Sequence, residues 1–383
     1  MPSGGNDGEA LLHALEGAAA AGGVPALLSR LRGPWALAFY SRPTHTLWVG
    51  RDAVGRRSLL LHRPCSLCDP RLLITSVAPP SELSDGSAGA APAREDGEEE
   101  EQAGAASPAP EGGFWEELAP GLHSCSLAGD AAAGHVWQRH AWQDAELEAI
   151  CEQTRPEPPP EPPPLDDRPL DDGGCLPEDR RAAADAVLAA LRASLADRTQ
   201  HCQGLDAPTP ESLPLAVLFS GGLDSMLVAC LAGEAMLARS QSPTIDLLSV
   251  CFDGGRSPDR LTARAGLEEL AALHAGVRWR LVEIDSSLAE VDAMRPRLLA
   301  LLAPRASYMD LNVGAALWLA ARGAGRLLRP GESAASGDEY YVSPAKVVLS
   351  GAGADEQAGG YGRHRSAFLH RGGWPAMQAS PGQ

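Results

Sequence analysis

The sequence predicts two folded parts of different class: an α+β part built on an antiparallel sheet, then an α/β part built on a parallel sheet. Three observations carry that expectation. Short apolar runs separated by turn residues follow one another through residues 35–77, the pattern of sequential hairpins. Through residues 214–349, strand-like runs alternate with stretches of helical periodicity, the pattern of right-handed crossovers. Between the two parts, residues 155–164 read Arg-Pro-Glu-Pro-Pro-Pro-Glu-Pro-Pro-Pro, a polyproline II spacer without internal hydrogen bonds. A proline-rich docking ligand is the alternative use of that run.

Residues 9–31 are rich in alanine and leucine at helical spacing and broken at Gly22-Gly23 and Pro25, which predicts two short helices. Strands are expected at 35–40, 46–50, 58–62 and 72–77, pairing as one antiparallel sheet. Residues 78–113 are Ala/Pro/Gly/Ser-rich with an acidic block and bury too little apolar area to offset the entropy of ordering, so a disordered insert is expected. Ordered composition returns over 114–138, where a strand at 134–138 would complete the sheet. This divides the chain into a domain at 1–150, a linker at 151–176 and a second domain at 177–383. In the latter, Pro177-Glu178-Asp179 opens a helix with an apolar stripe over 183–195. Strands follow at 214–219, 245–252, 278–284 and 346–349, with helices at 226–238, 260–272, 288–302 and 311–321.

The chain has 383 residues, of which 44% are hydrophobic, enough for two cores. Its net charge of −18 argues against a general nucleic-acid binder, although much of it sits in local acidic runs. No run approaches membrane-spanning length and the first residues carry no basic or apolar leader, so a cytoplasmic protein with no membrane partner is expected. Eight cysteines in a chain of this size suggest reduced thiols, with Cys230 and Cys251 as small hydrophobes inside apolar runs. Cys65-Ser66-Leu67-Cys68 reads as part of a loop, a metal pair being the alternative.

The chemistry-bearing stretch is Leu-Ala-Val-Leu-Phe followed by Ser220-Gly221-Gly222-Leu223-Asp224-Ser225 and an apolar helix. A strand buried on both faces delivers a glycine loop to the positive end of a helix, with Ser220 and Ser225 as hydroxyl donors. That pattern accepts a phosphate. Asp224 would repel the anion unless Mg2+ lies between the two charges, so nucleotide chemistry is expected; a glycine-rich turn without a ligand is the alternative. The usual P-loop is excluded, because its Gly-Lys-Ser/Thr is absent and the chain's single lysine, Lys346, lies between Ala345 and Val347. A second small-residue loop, Ser350-Gly351-Ala352-Gly353-Ala354-Asp355-Glu356, follows the fourth strand. Asp355 there supplies a second carboxylate for magnesium, or caps a helix.

Ser-Gly-Gly-x-Asp-Ser after a buried strand resembles the pyrophosphate loop of the ATP pyrophosphatases, a Rossmann-like fold of the adenine nucleotide alpha hydrolase type. Gly33-Pro-Trp-Ala-Leu-Ala-Phe-Tyr with Arg51-Asp-Ala-Val-Gly-Arg-Arg-Ser-Leu resembles the later half of a class II glutamine amidotransferase, an Ntn-type sheet domain; another kind of β-domain is the alternative. Together with Ser257-Pro-Asp and Ser350-Gly-x-Gly-Ala-Asp-Glu, these segments resemble the glutamine-dependent asparagine synthetases. The resemblance implies ATP and Mg2+ as cofactors. It places pyrophosphate on Ser220, Gly221, Gly222 and Ser225, magnesium on Asp224 and Asp355, and adenosine beside Leu218, Val250, Ser350 and Gly351. It implies small-molecule substrates, namely ATP, aspartate and ammonia or glutamine, with aspartate activated as aspartyl-AMP and then amidated.

The resemblance also locates departures. Pro2 stands where that family has its glutaminase cysteine, and neither asparagine, Asn6 or Asn312, precedes a glycine, so the family's Asn-Gly oxyanion hole has no counterpart. Ala352 stands where synthetases carry a glutamate. The amidotransferase-like part is expected to be partial and the synthetase-like part incomplete at its C-terminus, after Gln383. Two functions follow: an asparagine synthetase without a working glutaminase half, or a non-catalytic nucleotide-binding or scaffolding protein of the same fold.

Overall fold

The computed structural model describes residues 7–63, 71–78, 115–128, 136–152, 178–200, 215–240, 242–305, 307–332, 339–371 and 373. Pro2, the Cys65/Cys68 pair, all of the expected insert except Ala78, and all of the expected linker except Cys151 and Glu152 lie outside them. Two compact units are present, one of residues 1–156 and 296–311, the other of residues 157–295 and 312–383.

The first unit opens with α1 (Asp7–Ala20) and α2 (Val24–Leu28), separated at Gly22, whose φ of +71° suits glycine. Strands β1 (Ala36–Ser41), β2 (Thr46–Arg51), β3 (Leu60–His62), β4 (Leu73–Thr75), β5 (Glu116–Glu117), β6 (Gly121–Ser126) and β7 (Trp137–His140) follow, then α3 (Ala145–Cys151). They form two antiparallel sheets, ordered β1-β2-β6-β7 and β4-β3-β5, where a single sheet was expected. The reason is packing. The four-stranded sheet buries Phe39 and Leu122 with Leu15, Val24, Leu28 and Trp142 of the helical side, while Val49 packs with Leu59, Leu61 and Leu118 on the other. A pleated sheet with two apolar faces needs a cover on each, and the three-stranded sheet supplies the second.

The Arg-Asp-x-x-Gly-Arg-Arg stretch closes one end of this sheet. Arg51 is 5% exposed and donates to the carbonyls of Arg57 at 2.7 Å, Leu118 at 2.6 Å and Gly55 at 2.5 Å. Asp52 accepts from the Trp35 amide at 3.2 Å and from Arg56 at 3.0 Å. Gly55 has φ of +70°, and a Cβ there would come within 2.8 Å of Pro120. Arg51, Asp52 and Gly55 are therefore required by the loop itself, whereas Arg57 contributes its carbonyl.

The rest of the chain, which is the second unit apart from residues 296–311, runs α4 (Glu178–Gln200), β8 (Leu215–Leu218), α5 (Leu223–Leu237), β9 (Thr244–Cys251), α6 (Pro258–Leu273), β10 (Arg278–Asp285), α7 (Leu288–Leu302), α8 (Tyr308–Arg322), β11 (Ala324–Leu328), β12 (Tyr340–Val342), β13 (Val348–Leu349), α9 (Ala354–Ala358) and α10 (Gly362–His370). Its sheet is ordered β12-β11-β10-β9-β8-β13. The four strands expected from the sequence are mutually parallel, and β11 and β12, which were not expected, extend the sheet antiparallel at one edge. Leu215, Val217, Ile245, Leu247 and Leu281 face α4, α5 and α6; Ala216, Leu248, Val282 and Ile284 pack with Leu319 and Ala320 of α8. Both faces are covered, which is why these strands read as continuous apolar runs.

Two carboxylates interrupt those runs. Glu283 is 1% exposed and is met by Arg264 at 2.6 Å, Arg326, and Arg260 at 3.6 Å; Arg260 is itself 1% exposed. Burial pushes the Glu283 carboxyl up, but the hydrogen bonds from Arg264 and Arg326 outweigh it and hold the group below the ordinary glutamate range. Asp246, fully buried, takes Arg280 at 2.6 Å, Ser343 at 2.6 Å and Tyr341 at 3.0 Å.

Glu283→Gln leaves Arg264 and Arg326 facing a neutral amide, and the buried Arg260 with Asp285, at 2.9 Å, as its remaining carboxylate, so unfolding free energy should fall by about 2 kcal/mol in equilibrium denaturation at neutral pH. In the wild type the folded pKa lies below the unfolded one. The contribution of Glu283 is therefore complete above about pH 4.3 and lost as the pH falls through the folded value, so the difference between wild type and variant should vanish in acid. An unchanged difference on both sides of that window would contradict the assignment.

Candidate functional site

The chain leaves β8 to pack α5 and β9 on one side, and comes back much later to place β13 on the other. In a parallel sheet such a reversal splays the two following loops apart and opens a crevice beyond the carboxyl ends of the strands. Residues 219–222 and 350–353 are those loops.

The first is held tightly. The Phe219 amide donates to Leu248 at 2.9 Å, and Thr262 donates its hydroxyl to the Ser220 carbonyl at 2.7 Å. Gly221 has φ of +79°, and a Cβ there would lie 2.3 Å from the Thr262 carbonyl carbon and 2.5 Å from the Ala263 nitrogen. The loop thus rests directly on the backbone of α6. Ser220 Oγ accepts from the Gly222 amide at 3.2 Å and lies 3.3 Å from Ser225 Oγ, while the Ser225 hydroxyl donates to the Gly222 carbonyl at 3.0 Å. Gly222 caps α5 without a side-chain hydrogen bond, so the first-turn amides of a fifteen-residue helix present their partial positive charge at the loop.

The second loop meets the first. A Cβ on Gly351 would lie 3.0 Å from Asp224 Cβ and 3.2 Å from the Asp224 carbonyl carbon, so only a glycine fits this approach without a shift. Ser350 Oγ accepts from the Ala352 amide at 3.1 Å. Gly353, with φ of +94°, caps α9; Asp355 is in the first turn rather than at the cap position. The Asp355 carboxylate packs against Gly360, where an added Cβ would lie 2.0 Å from Oδ1. Tyr361 donates to Glu356 Oε1 at 2.7 Å, which holds the Glu356 carboxyl below its usual range and raises the phenol. His364 is fully buried, 5.3 Å from the Tyr361 ring, and among the described residues its ring nitrogens have no hydrogen-bond partner.

Among the residues assigned from the sequence, Ser220, Gly221, Gly222, Asp224, Ser225 and Gly351 therefore form one constellation, with Ser350 beside it. Leu218 and Val250 sit half-buried near the ends of β8 and β9, in the same apolar cluster. At the carboxyl end of β10 lies a cavity of about 430 Å3 that the sequence reading missed, lined among others by Asp285, Ser286, Glu290, Met294, Arg322 and Tyr340. Glu290 accepts from the Ser287 amide at 2.8 Å and the Ser286 hydroxyl at 2.9 Å, bonds that keep it below the ordinary carboxylate range. The cavity depends on β11 and β12, whose pairing no local pattern announced.

Gly221→Ala and Gly254→Ala compare the same backbone strain with and without a collision, since Gly254 has φ of +70° and nothing within 4 Å of a new Cβ. Gly254→Ala should cost about 1 kcal/mol, and Gly221→Ala at least about 2 kcal/mol more, in denaturant unfolding. Equal losses would mean that the loop does not rest on α6.

Residues 209–297 match the family model described as asparagine synthase. Over 458 aligned residues the chain is 28% identical to a chicken (Gallus gallus) protein named asparagine synthetase domain-containing protein 1, covering 95% of this chain and 67% of that protein. The bovine (Bos taurus) and human (Homo sapiens) proteins of that name are 34% and 33% identical over 241 residues, covering 52% of this chain in each case. The chain spans about a third of the length of those two relatives, 34% and 33% respectively. The loop of Ser220 to Ser225 falls inside the matched segment. The chain thus carries an asparagine synthase domain in its second unit, and along most of its length it is similar to the asparagine synthetase domain-containing proteins.

Proposed function

We propose that the second unit binds Mg·ATP in the crevice between the loops after β8 and β13, and that it is an asparagine synthetase-like ligase or a descendant of one. The observation that carries this reading is the meeting of Asp224 with Gly351 beside the uncapped start of α5. The donor set fits the group. Helix amides with Ser220 and Ser225 suit the pyrophosphate oxygens, and the apolar Leu218 and Val250 suit the nucleoside. Asp224 and Asp355 are the carboxylates that would hold Mg2+, an ion that takes oxygen ligands and shares them with phosphate. When bound, ATP supplies the adenylyl group for a carboxylate such as that of aspartate, and Mg2+ supplies the charge that lets Asp224 and phosphate share one site. The chain's part is to hold both loops at one edge of a rigid sheet and so orient the reactants.

We read the first unit as part of an amidotransferase-like domain, supported by the Arg51-Asp52 loop and the two-sheet layering. Its glutaminase function is taken to be lost, because neither asparagine of the chain precedes glycine. The domain division at 151–176 and a soluble cytoplasmic location belong to the same proposal; among the described residues no helix is long and apolar enough to cross a membrane.

One observation favours the second reading, a nucleotide binder without turnover. Ala352 is exposed, and only its amide is engaged, with Ser350. A methyl group there can neither accept nor donate a proton.

Asp224→Ala should weaken ATP binding in magnesium at least about tenfold more than in EDTA, because the carboxylate acts through the metal. Equal weakening in both buffers, read by isothermal titration, would remove that role. With ATP, aspartate and ammonium, pyrophosphate release by Ala352→Glu should exceed the wild type by about a hundredfold, the usual worth of one positioned acid or base. Synthetase-level asparagine production by the wild type would show instead that the chemistry does not need a carboxylate at that position.

A further inference from the structure

The sequence predicts a small hydrophobe at Cys230, but the fold gives it other company. Cys230 and Glu234 stand one turn apart on α5 and so share a face. His274 ends α6, its amide bonded to the Leu270 carbonyl at 2.9 Å. The ligand atoms of Cys230, Glu234 and His274 all lie within 4.8 Å of one another, and Cys230 Sγ is 3.3 Å from His274 Nε2. A tetrahedral ion with a sulfur at about 2.3 Å and an imidazole nitrogen at about 2.0 Å would separate those two atoms by about 3.5 Å.

The imidazole is seated rather than loose. A Cβ on Gly233 would come within 3.2 Å of His274 Cδ2 and 3.1 Å of the Trp279 ring, so the glycine makes room for both. The Trp279 indole donates to the His274 carbonyl at 3.3 Å. Glu234 is oriented by Arg192 of α4, which donates to Oε2 at 2.8 Å and Oε1 at 3.2 Å. Each carboxylate oxygen keeps a second lone pair, and a charged outer partner of this kind fixes the direction of a ligating group.

We propose that Cys230, Glu234 and His274 form a Zn2+ site on the helical face of the second unit. A thiolate, an imidazole and a carboxylate are the donor set of zinc and of neighbouring borderline metals; Mg2+ prefers oxygen alone. The three residues leave the fourth position to water. The ion would join α5 to the end of α6, two helices of the face that also carries the Ser220 loop. It would be distinct from the magnesium proposed beside Asp224, which lies at the opposite end of α5.

The full chain, purified reduced and equilibrated in a zinc buffer, should retain one equivalent of zinc by elemental analysis. With Co2+ in its place it should show a sulfur-to-cobalt charge-transfer band. Cys230→Ala should abolish that band, and Cys230→Ala and Glu234→Gln should each weaken retention at least about tenfold. The Cys65→Ser/Cys68→Ser double variant should keep both zinc and band. Absence of zinc and of the band from the wild type would overturn the proposal, and this reading does not depend on any variant folding. Retention by Cys230→Ala with loss in the double variant would assign the metal to the other cysteines and overturn it equally. ATP titration of the same samples distinguishes this outcome from failure of the nucleotide site.

Discussion

The second unit depends on the reversal of its chain at β8. That strand is buried on both faces and flanked on both edges, by β9 and by β13, so its carboxyl end has nowhere to go but over the edge of the sheet. The loop that leaves it must turn at once to start α5, and it does so by lying on the backbone of α6, where Gly221 has no room for a side chain. The loop that leaves β13 arrives beside it because β13 is in register with β8, Leu349 opposite Val217. Two stretches more than a hundred residues apart are thus held in contact by strand pairing, and the chemistry of the site is set by which small residues each carries.

Buried polar groups join the strands in the other half of the sheet. Strand β10 is parallel to β9 but pairs antiparallel with β11, and the buried Glu283 faces this junction. Arg264 and Arg260 reach it from α6 and Arg326 from β11, so one carboxylate ties three elements. Asp246 does the same for β9, β10 and the segment around β12 through Arg280, Tyr341 and Ser343. A buried pair of this kind adds little net stability compared with apolar packing, but it tolerates very few alternative arrangements. In this unit these pairs lie where β11 and β12 join the sheet, the strands whose Ala324 and Tyr340 line the cavity beside Glu290.

In the first unit the corresponding constraint is the Arg51 guanidinium, which satisfies the Gly55 and Arg57 carbonyls of its own loop and the distant Leu118 carbonyl, while Asp52 holds Trp35 and Arg56. A motif that resembles one in amidotransferases is here a loop-closing device, and its Arg51, Asp52 and Arg56 are explained by the hydrogen bonds they make inside the unit.

The parallel strands, their crossover helices and the glycine loop were legible in the sequence because each rests on a local pattern. Apolar runs mark strands covered on both faces, and α7 was expected at 288–302 and occupies Leu288–Leu302. The pair of sheets in the first unit, β6, β11 and β12 were not legible. Strand β6 reads Gly-Leu-His-Ser-Cys-Ser, without a β-branched residue, and is a strand because β2 and β7 pair with both its edges. Strands β11 and β12 exist by pairing with each other and with β10. Likewise the spacing of Cys230 and Glu234 is visible in the chain, but His274, forty-four residues on from Cys230, joins them only through the packing of α5 on α6. Periodicity records what one element needs; which side chains of different elements converge is decided by tertiary packing, because long-range pairing carries no local signal.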